Sequence, residues 1–208
     1  MRRLLILFPC TCALLLSGCL SSSPSKRYFQ LSPTALLGVK GSATHPQSGK
    51  IEKVDTERIY NDYRVIYRPS PFRLDYYTYD FWVQRPGKML EELFFNHFTA
   101  TRLFSRVERS FSQESSHFLL RVHLAAIEEN VMGKNSWAHL EMSMDLIDSQ
   151  TRRSVVSHSF DRKEPLKGRK MESLIALLSR ILGEEMSLFT QKITDSLGRG
   201  TPSESAKP

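Results

Sequence analysis

The runs HFLLRVHLAAIEENV at 117–131 and NSWAHLEMSMDLIDS at 135–149, joined by Met132-Gly133-Lys134, decide the fold. In the first, Phe118, Leu120, Val122, Leu124 and Ala126 recur at every second position; in the second, Ala138, Leu140, Met142, Met144 and Leu146 do. Successive side chains of a strand point to opposite faces, so a period of two marks a half-buried strand. Two such runs around a glycine-bearing turn predict a long antiparallel hairpin with one apolar face. The other face is polar, with His117, Arg121 and His123 on one strand and His139, Glu141 and Asp145 on its neighbour.

Working toward the C-terminus, Ser154–Asp161 reads as a further strand, and Met171, Leu174, Ile175, Leu178, Ile181, Leu182, Phe189 and Ile193 form one apolar stripe. That spacing predicts a helix over about 170–197 with Gly183 as a weak point, glycine being about 1 kcal/mol poorer than alanine inside a helix. Residues 195–208 have the composition of a disordered tail.

Working toward the N-terminus, Ser105–Arg109 suggests a short strand, and Met89, Leu90, Leu93, Phe94, His97, Phe98 and Thr101 share one face of a helix over 86–101. Pro86 suits that helix's first position, and His97, on its apolar face, reads as a core histidine. Before it lie two strand-like runs, Arg64–Arg68 and Phe72–Val83, separated by Pro69-Ser70-Pro71, and an early strand at Tyr28-Phe29-Gln30-Leu31. Residues 32–50, rich in Gly, Pro, Ser and Thr, read as a loop, either a variable insertion or a segment for partner contact. Grouped strands with helices that need one sheet face to cover them predict an α+β fold: a single domain with a largely antiparallel sheet and two main amphipathic helices packed on one face.

Two constellations bear on function. His123, His139 and Glu141 would make a metal set only if the hairpin brought them together. Alternating charges on the wet face of an antiparallel sheet account for them more simply, and we assign no metal, no cofactor and no catalytic residue. No His-Glu-x-x-His, Gly-x-Ser-x-Gly or phosphate-binding loop occurs. The second constellation is Tyr76, Tyr77, Tyr79, Phe81 and Trp82. Aromatic side chains on both faces of one strand cannot all lie against one core, so some are candidates for contact with a partner or a lipid.

The N-terminus carries an address. Arg2 and Arg3 precede an apolar run, Leu4–Leu16, interrupted by Pro9, Cys10, Thr11 and Cys12. The run is shorter than the roughly 20 apolar residues of a spanning helix, and residues 1–18 read as an export signal. Leu16-Ser17-Gly18-Cys19 resembles the bacterial lipobox, with cleavage before Cys19 and acyl chains on its thiol. Cys10 and Cys12 leave with the signal, which excludes disulfides, thiolate metal sites and a cysteine nucleophile from the mature chain. Residues 19–27 then form the lipidated cysteine and a short polar tether. Leu20, rather than Asp, follows the cysteine, so the expected address is the periplasmic face of the outer membrane. That compartment excludes nucleic acid as a partner. The net charge of +7 falls to +5 once Arg2 and Arg3 are removed, and no dense basic block remains.

With the lipobox at Cys19, several scattered features match one family: Tyr28-Phe29-Gln30-Leu31, the arginine-ended strand Val65-Ile66-Tyr67-Arg68, the tyrosines leading to Trp82, Pro86 with Met89-Leu90 and Leu93, Phe104 with Val107, and the strand 119–126 before a closing amphipathic helix. Over residues 28–194 the chain resembles the ABC-type transport auxiliary lipoproteins. The resemblance implies a non-enzymatic periplasmic partner of an MCE-type lipid transport system, with an MCE-domain protein and phospholipid as expected contacts. It supplies a defined chemical role for Cys19 alone. Two other classes stay open: a lipoprotein module of another envelope assembly complex, and a metal-dependent periplasmic hydrolase using His123, His139 and Glu141.

Overall fold

The computed structural model describes residues 25–33, 45–168 and 170–198. The export signal, Cys19, most of the tether, residues 34–44 of the expected loop and residues 199–208 lie outside these.

The hairpin is present as β7 (Phe118–Met132) and β8 (Asn135–Asp148), closed by the two-residue loop Gly133-Lys134. Gly133 has φ +63° while Lys134 is not left-handed, the pattern of a type II′ turn, which places glycine at its first central position. The free edge of β8 pairs antiparallel with β9 (Ser154–Pro165), four residues longer than the expected strand. The opposite edge of β7 is shared by three strands in succession, all parallel to it. They are β2 (Gly49–Ile51) against Phe118–Leu120, β3 (Asp55–Thr56) against His123–Leu124, and β4 (Arg64–Ser70) against Glu129–Asn130. β4 turns at Pro71-Phe72 into the antiparallel β5 (Arg73–Trp82), whose outer edge carries β1 (Arg27–Phe29) in parallel. The short β6 (Val107–Glu108) pairs with β2. The result is one α+β domain around a nine-stranded mixed sheet, antiparallel along its long ladders and parallel at its short ones.

Both helices cover the same face. The helix α1 (Pro86–Thr101) occupies the predicted span, and α2 (Met171–Gly198) runs unbroken through Gly183 into the stretch expected as tail. A Cβ on Gly87 would come within 2.5 Å of Thr56 Oγ1, so the first turn of α1 lies close on β3 because that residue has no side chain. The core joins both helix stripes to the inward hairpin residues. Leu90, Phe94, Phe98, Val122, Leu124, Leu140, Met144, Leu178, Leu182 and Phe189 are all at most 1% exposed. Neither helix is long and apolar enough to cross a membrane.

Three points depart from the sequence expectation. Residues 45–50 are structured: His45 bridges to Phe104 and Gly49 begins β2, so the loop expected over 32–50 ends earlier. The strands β2 and β3 were not anticipated, being two or three residues long and without a period. Finally, the alternation of β7 breaks. Leu124 lies opposite Met142, but Ala126 lies opposite Glu141, with a bulge between them. One inserted residue exchanges the two faces. Ala126 is therefore on the face away from the helices, and Ile127, opposite Leu140, takes over the inward role.

His97 is 0% exposed and bonds through Nε2 to Thr190 Oγ1 at 2.6 Å, tying α1 to α2. The Thr190 hydroxyl donates to the Met186 carbonyl, so His97 Nε2–H is the donor and Nδ1 is a bare, unpartnered buried acceptor. Burial pushes the His97 pKa down to about 4 from 6.5. An unfolded chain then binds the extra proton more readily, so stability is full above pH 6.5 and falls as pH drops toward 4, by about 3 kcal/mol in total. Urea denaturation across this pH range checks the effect. In His97→Gln, which keeps a donor for Thr190, the loss between pH 6.5 and 4 is expected to shrink by most of that amount.

Candidate functional site

The structure divides the five aromatic residues of β5. Trp82, paired with Phe29, is 1% exposed and belongs to the core. Tyr77 is half-buried against the Tyr67 ring, 4.8 Å between centroids, and donates its hydroxyl hydrogen bond to Glu129. Burial first, and then that carboxylate, raises its pKa. Tyr76 lies under the Arg64 guanidinium at 3.8 Å, and Arg64 is itself held by Asp62. Phe81 packs on Tyr28 of β1 at 5.8 Å with Lys26 Nζ 5.3 Å above its ring. Tyr79 is 43% exposed. Three extra residues of β5 between the pairs Ile66–Tyr76 and Arg64–Phe81 make this division possible, because the irregularity there interrupts strict alternation.

The histidines expected on the polar face separate. His123 turns to Asp55 on β3, Nδ1 to Oδ2 at 2.8 Å, and is not beside His139. His139 is instead part of a buried polar cluster created by the bulge. With the faces exchanged, Glu128 points to the outer face opposite His139 and is fully buried there. Tyr60, from the 3-10 turn Arg58–Tyr60, donates to Glu128 Oε2 at 2.6 Å. Arg68 of β4 contacts both Glu128 oxygens, at 2.6 and 3.1 Å. His139 Nδ1 lies 3.1 Å from Glu128 Oε1, and Asn130 Nδ2 lies 3.3 Å from the same oxygen. Burial alone pushes the Glu128 carboxyl up, but hydrogen bonds from His139, Arg68 and Tyr60 outweigh it and hold the pKa down at about 2. The carboxylate is thus an ion held by donors on every side.

The other ring nitrogen of His139 faces outward, with Nε2 2.9 Å from Asp161 and 3.9 Å from Glu141. Among the described residues, His139, Glu141 and Asp161 form a group whose ligand atoms lie within 4.8 Å of one another, the spacing a divalent ion needs. Glu128 would then be the outer partner that fixes the imidazole. The same atoms also satisfy one another as an ion network, with Arg68 and Lys163 as further cations. Sequence reasoning missed Tyr60, Arg68, Glu128 and Asp161. Its available signal was Glu128-Glu129 following Ala126-Ile127, where the alternation fails. Two open grooves flank α1, about 340 Å³ beside Leu31, Met89 and Leu93 and about 410 Å³ beside Phe95, Phe104 and Val107.

Residues 29–187 match the model of the family described as the ABC-type transport auxiliary lipoprotein component. The chain belongs to the ABC-type transport auxiliary lipoprotein family. This auxiliary lipoprotein shares its fold with protein XCC0632 from Xanthomonas campestris, of the family designated DUF330. The TM-score is 0.67 at 21% identity over 86% of this chain and 97% of that one. A second crystal structure, of an uncharacterized protein, aligns with a TM-score of 0.65 at 12% identity over 82% and 99% of the two chains. At these identities the likeness speaks for the fold alone. No curated protein sequence matches the auxiliary lipoprotein significantly.

Proposed function

We propose that this auxiliary lipoprotein is a non-enzymatic, outer-membrane-anchored component of an MCE-type lipid transport system. It docks the transporter's MCE-domain assembly at the periplasmic face of that membrane. The observation that carries this reading is the family match over 29–187, joined to a lipobox ending at Cys19. The fold supports it: the conspicuous polar cluster is internally satisfied and the grooves are open, features of a scaffold more than of a catalyst.

Two measurements test it. Pull-down of the tagged lipoprotein from envelope extracts after mild cross-linking is expected to recover an MCE-domain protein. Recovering none, together with unaltered membrane lipid asymmetry in a deletion strain, sinks the proposal. Cys19→Ala is expected to remove the chain almost entirely from the outer-membrane fraction, with the signal left uncleaved and no acyl chains, read by fractionation and immunoblot. The hydrolase alternative has a separate test through His139, Glu141 and Asp161. Near-stoichiometric zinc that is lost in His139→Ala would support it.

A further inference from the structure

We propose that the outer face of β1 and β5, built from Lys26, Tyr28, Phe81 and Val83, lies directly on the phospholipid headgroups of the membrane that holds Cys19. The proposal rests on the reading of Cys19 as the anchor and names the surface that the folded domain turns toward the bilayer.

Position is the first argument. Lys26 is seven residues from Cys19, and a fully extended chain of that length reaches at most about 25 Å. Tyr28 and Phe81 are paired neighbours across β1 and β5, so the patch begins where the tether ends. Composition is the second. Tyr28 is 62% exposed and Val83 54%, large apolar surfaces at one sheet end. Tyrosine and phenylalanine with flanking lysine and arginine are what the membrane–water boundary selects, since the rings sit at headgroup level while the cations meet phosphate. Charge is the third. Lys26 stands over the Phe81 ring, and among the described residues no carboxylate holds it. It is thus left to an anionic headgroup, and membranes bearing such lipids attract basic segments near their surface. On the opposite face, the equivalent positions are closed: Phe29 and Trp82 enter the core, and Arg27 is bound to Asp80 at 2.7 Å.

The mature acylated chain offers a direct test, because Cys19 is consumed by lipid and an introduced cysteine is the one thiol available for a spin label. Labels are placed by Val83→Cys in the patch and by Leu188→Cys on α2, which is 47% exposed on the helix side. The lipoprotein is reconstituted into vesicles of phosphatidylethanolamine and phosphatidylglycerol, and collision with oxygen and with a nickel chelate is read by power saturation. The label at 83 is expected to lose nickel access several-fold relative to the soluble, unacylated chain and to gain oxygen access, while the label at 188 changes in neither. Lys26→Glu is expected to restore much of the nickel access at 83. Equal nickel access at 83 and 188 in an acylated, vesicle-bound chain overturns the proposal. So does protection at 83 that arises only when a partner protein is added. A mature chain without acyl chains by mass spectrometry sinks the anchor reading, and the proposal falls with it; an acylated chain with position 83 open sinks the proposal alone.

Discussion

Glu128→Ala is expected to lower folding stability by about 3–5 kcal/mol, the range found when one partner of a buried ion pair is removed. The loss is large because four residues, Tyr60, Arg68, Asn130 and His139, direct donors at this carboxylate. Without it, the Arg68 guanidinium keeps only the Tyr60 hydroxyl oxygen as an acceptor, and the Tyr60 hydroxyl and His139 Nδ1 lose the acceptor they share. Urea denaturation of the purified mature domain measures the effect. Glu128→Gln retains an acceptor oxygen without the charge, and its loss is expected to be smaller, about 1–3 kcal/mol. Replacing Arg68 by Met and Glu128 by Leu together is expected to recover part of the alanine loss, since paired removal leaves no orphaned charge. The same carboxylate gives the protein an acid limit. Its folded pKa, about 2, lies below the ordinary 4.5, so its contribution is present above pH 4.5 and is lost as pH falls toward 2. That window lies below the one set by His97, and the two losses are expected in sequence as the solution is acidified.

The second large effect is expected at Trp82. Removing its 1%-exposed indole by Trp82→Ala leaves a cavity among core side chains and should lower stability by about 3–5 kcal/mol. Three residues away on the same strand, Tyr79→Ala is expected to change stability by no more than about 0.5 kcal/mol, as surface substitutions usually do. Any failure of Trp82→Ala in a transport assay would then trace to folding. A failure of Tyr79→Ala with unchanged unfolding would trace to a contact. An equal, small effect at both positions would show that Trp82 is not the core residue its burial describes.

These two residues also show what could be read from the chain by eye. The apolar stripes of α1 and α2 and the period of the hairpin each involve many residues, and such repeated signals survive local irregularity. Strands β2 and β3 have only two or three residues each, and their pairing with β7 depends on partners more than 60 residues away. No local pattern encodes that. The polar cluster was hidden for a related reason. Glu128, Arg68, Tyr60 and Asp161 come from four separate segments, and only the bulge after Leu124 turns Glu128 toward the others. That the aromatic strand is divided between core and surface was legible, but which ring takes which side was not. Which ring goes inward depends on the irregular pairing of β5 with β4, which alternation alone cannot supply.

The short first strand has a mechanical consequence. If Cys19 ties the chain to a bilayer, as proposed, any tension between membrane and domain enters the fold near Arg27, the first residue of β1. There it meets three residues of parallel pairing with β5, and the guanidinium of Arg27 clasped by Asp80 with Glu172 of α2 nearby. On that anchoring, this short clasp would set how hard the domain can be pulled before its first strand lets go, and the longer ladders of the hairpin would be expected to outlast it.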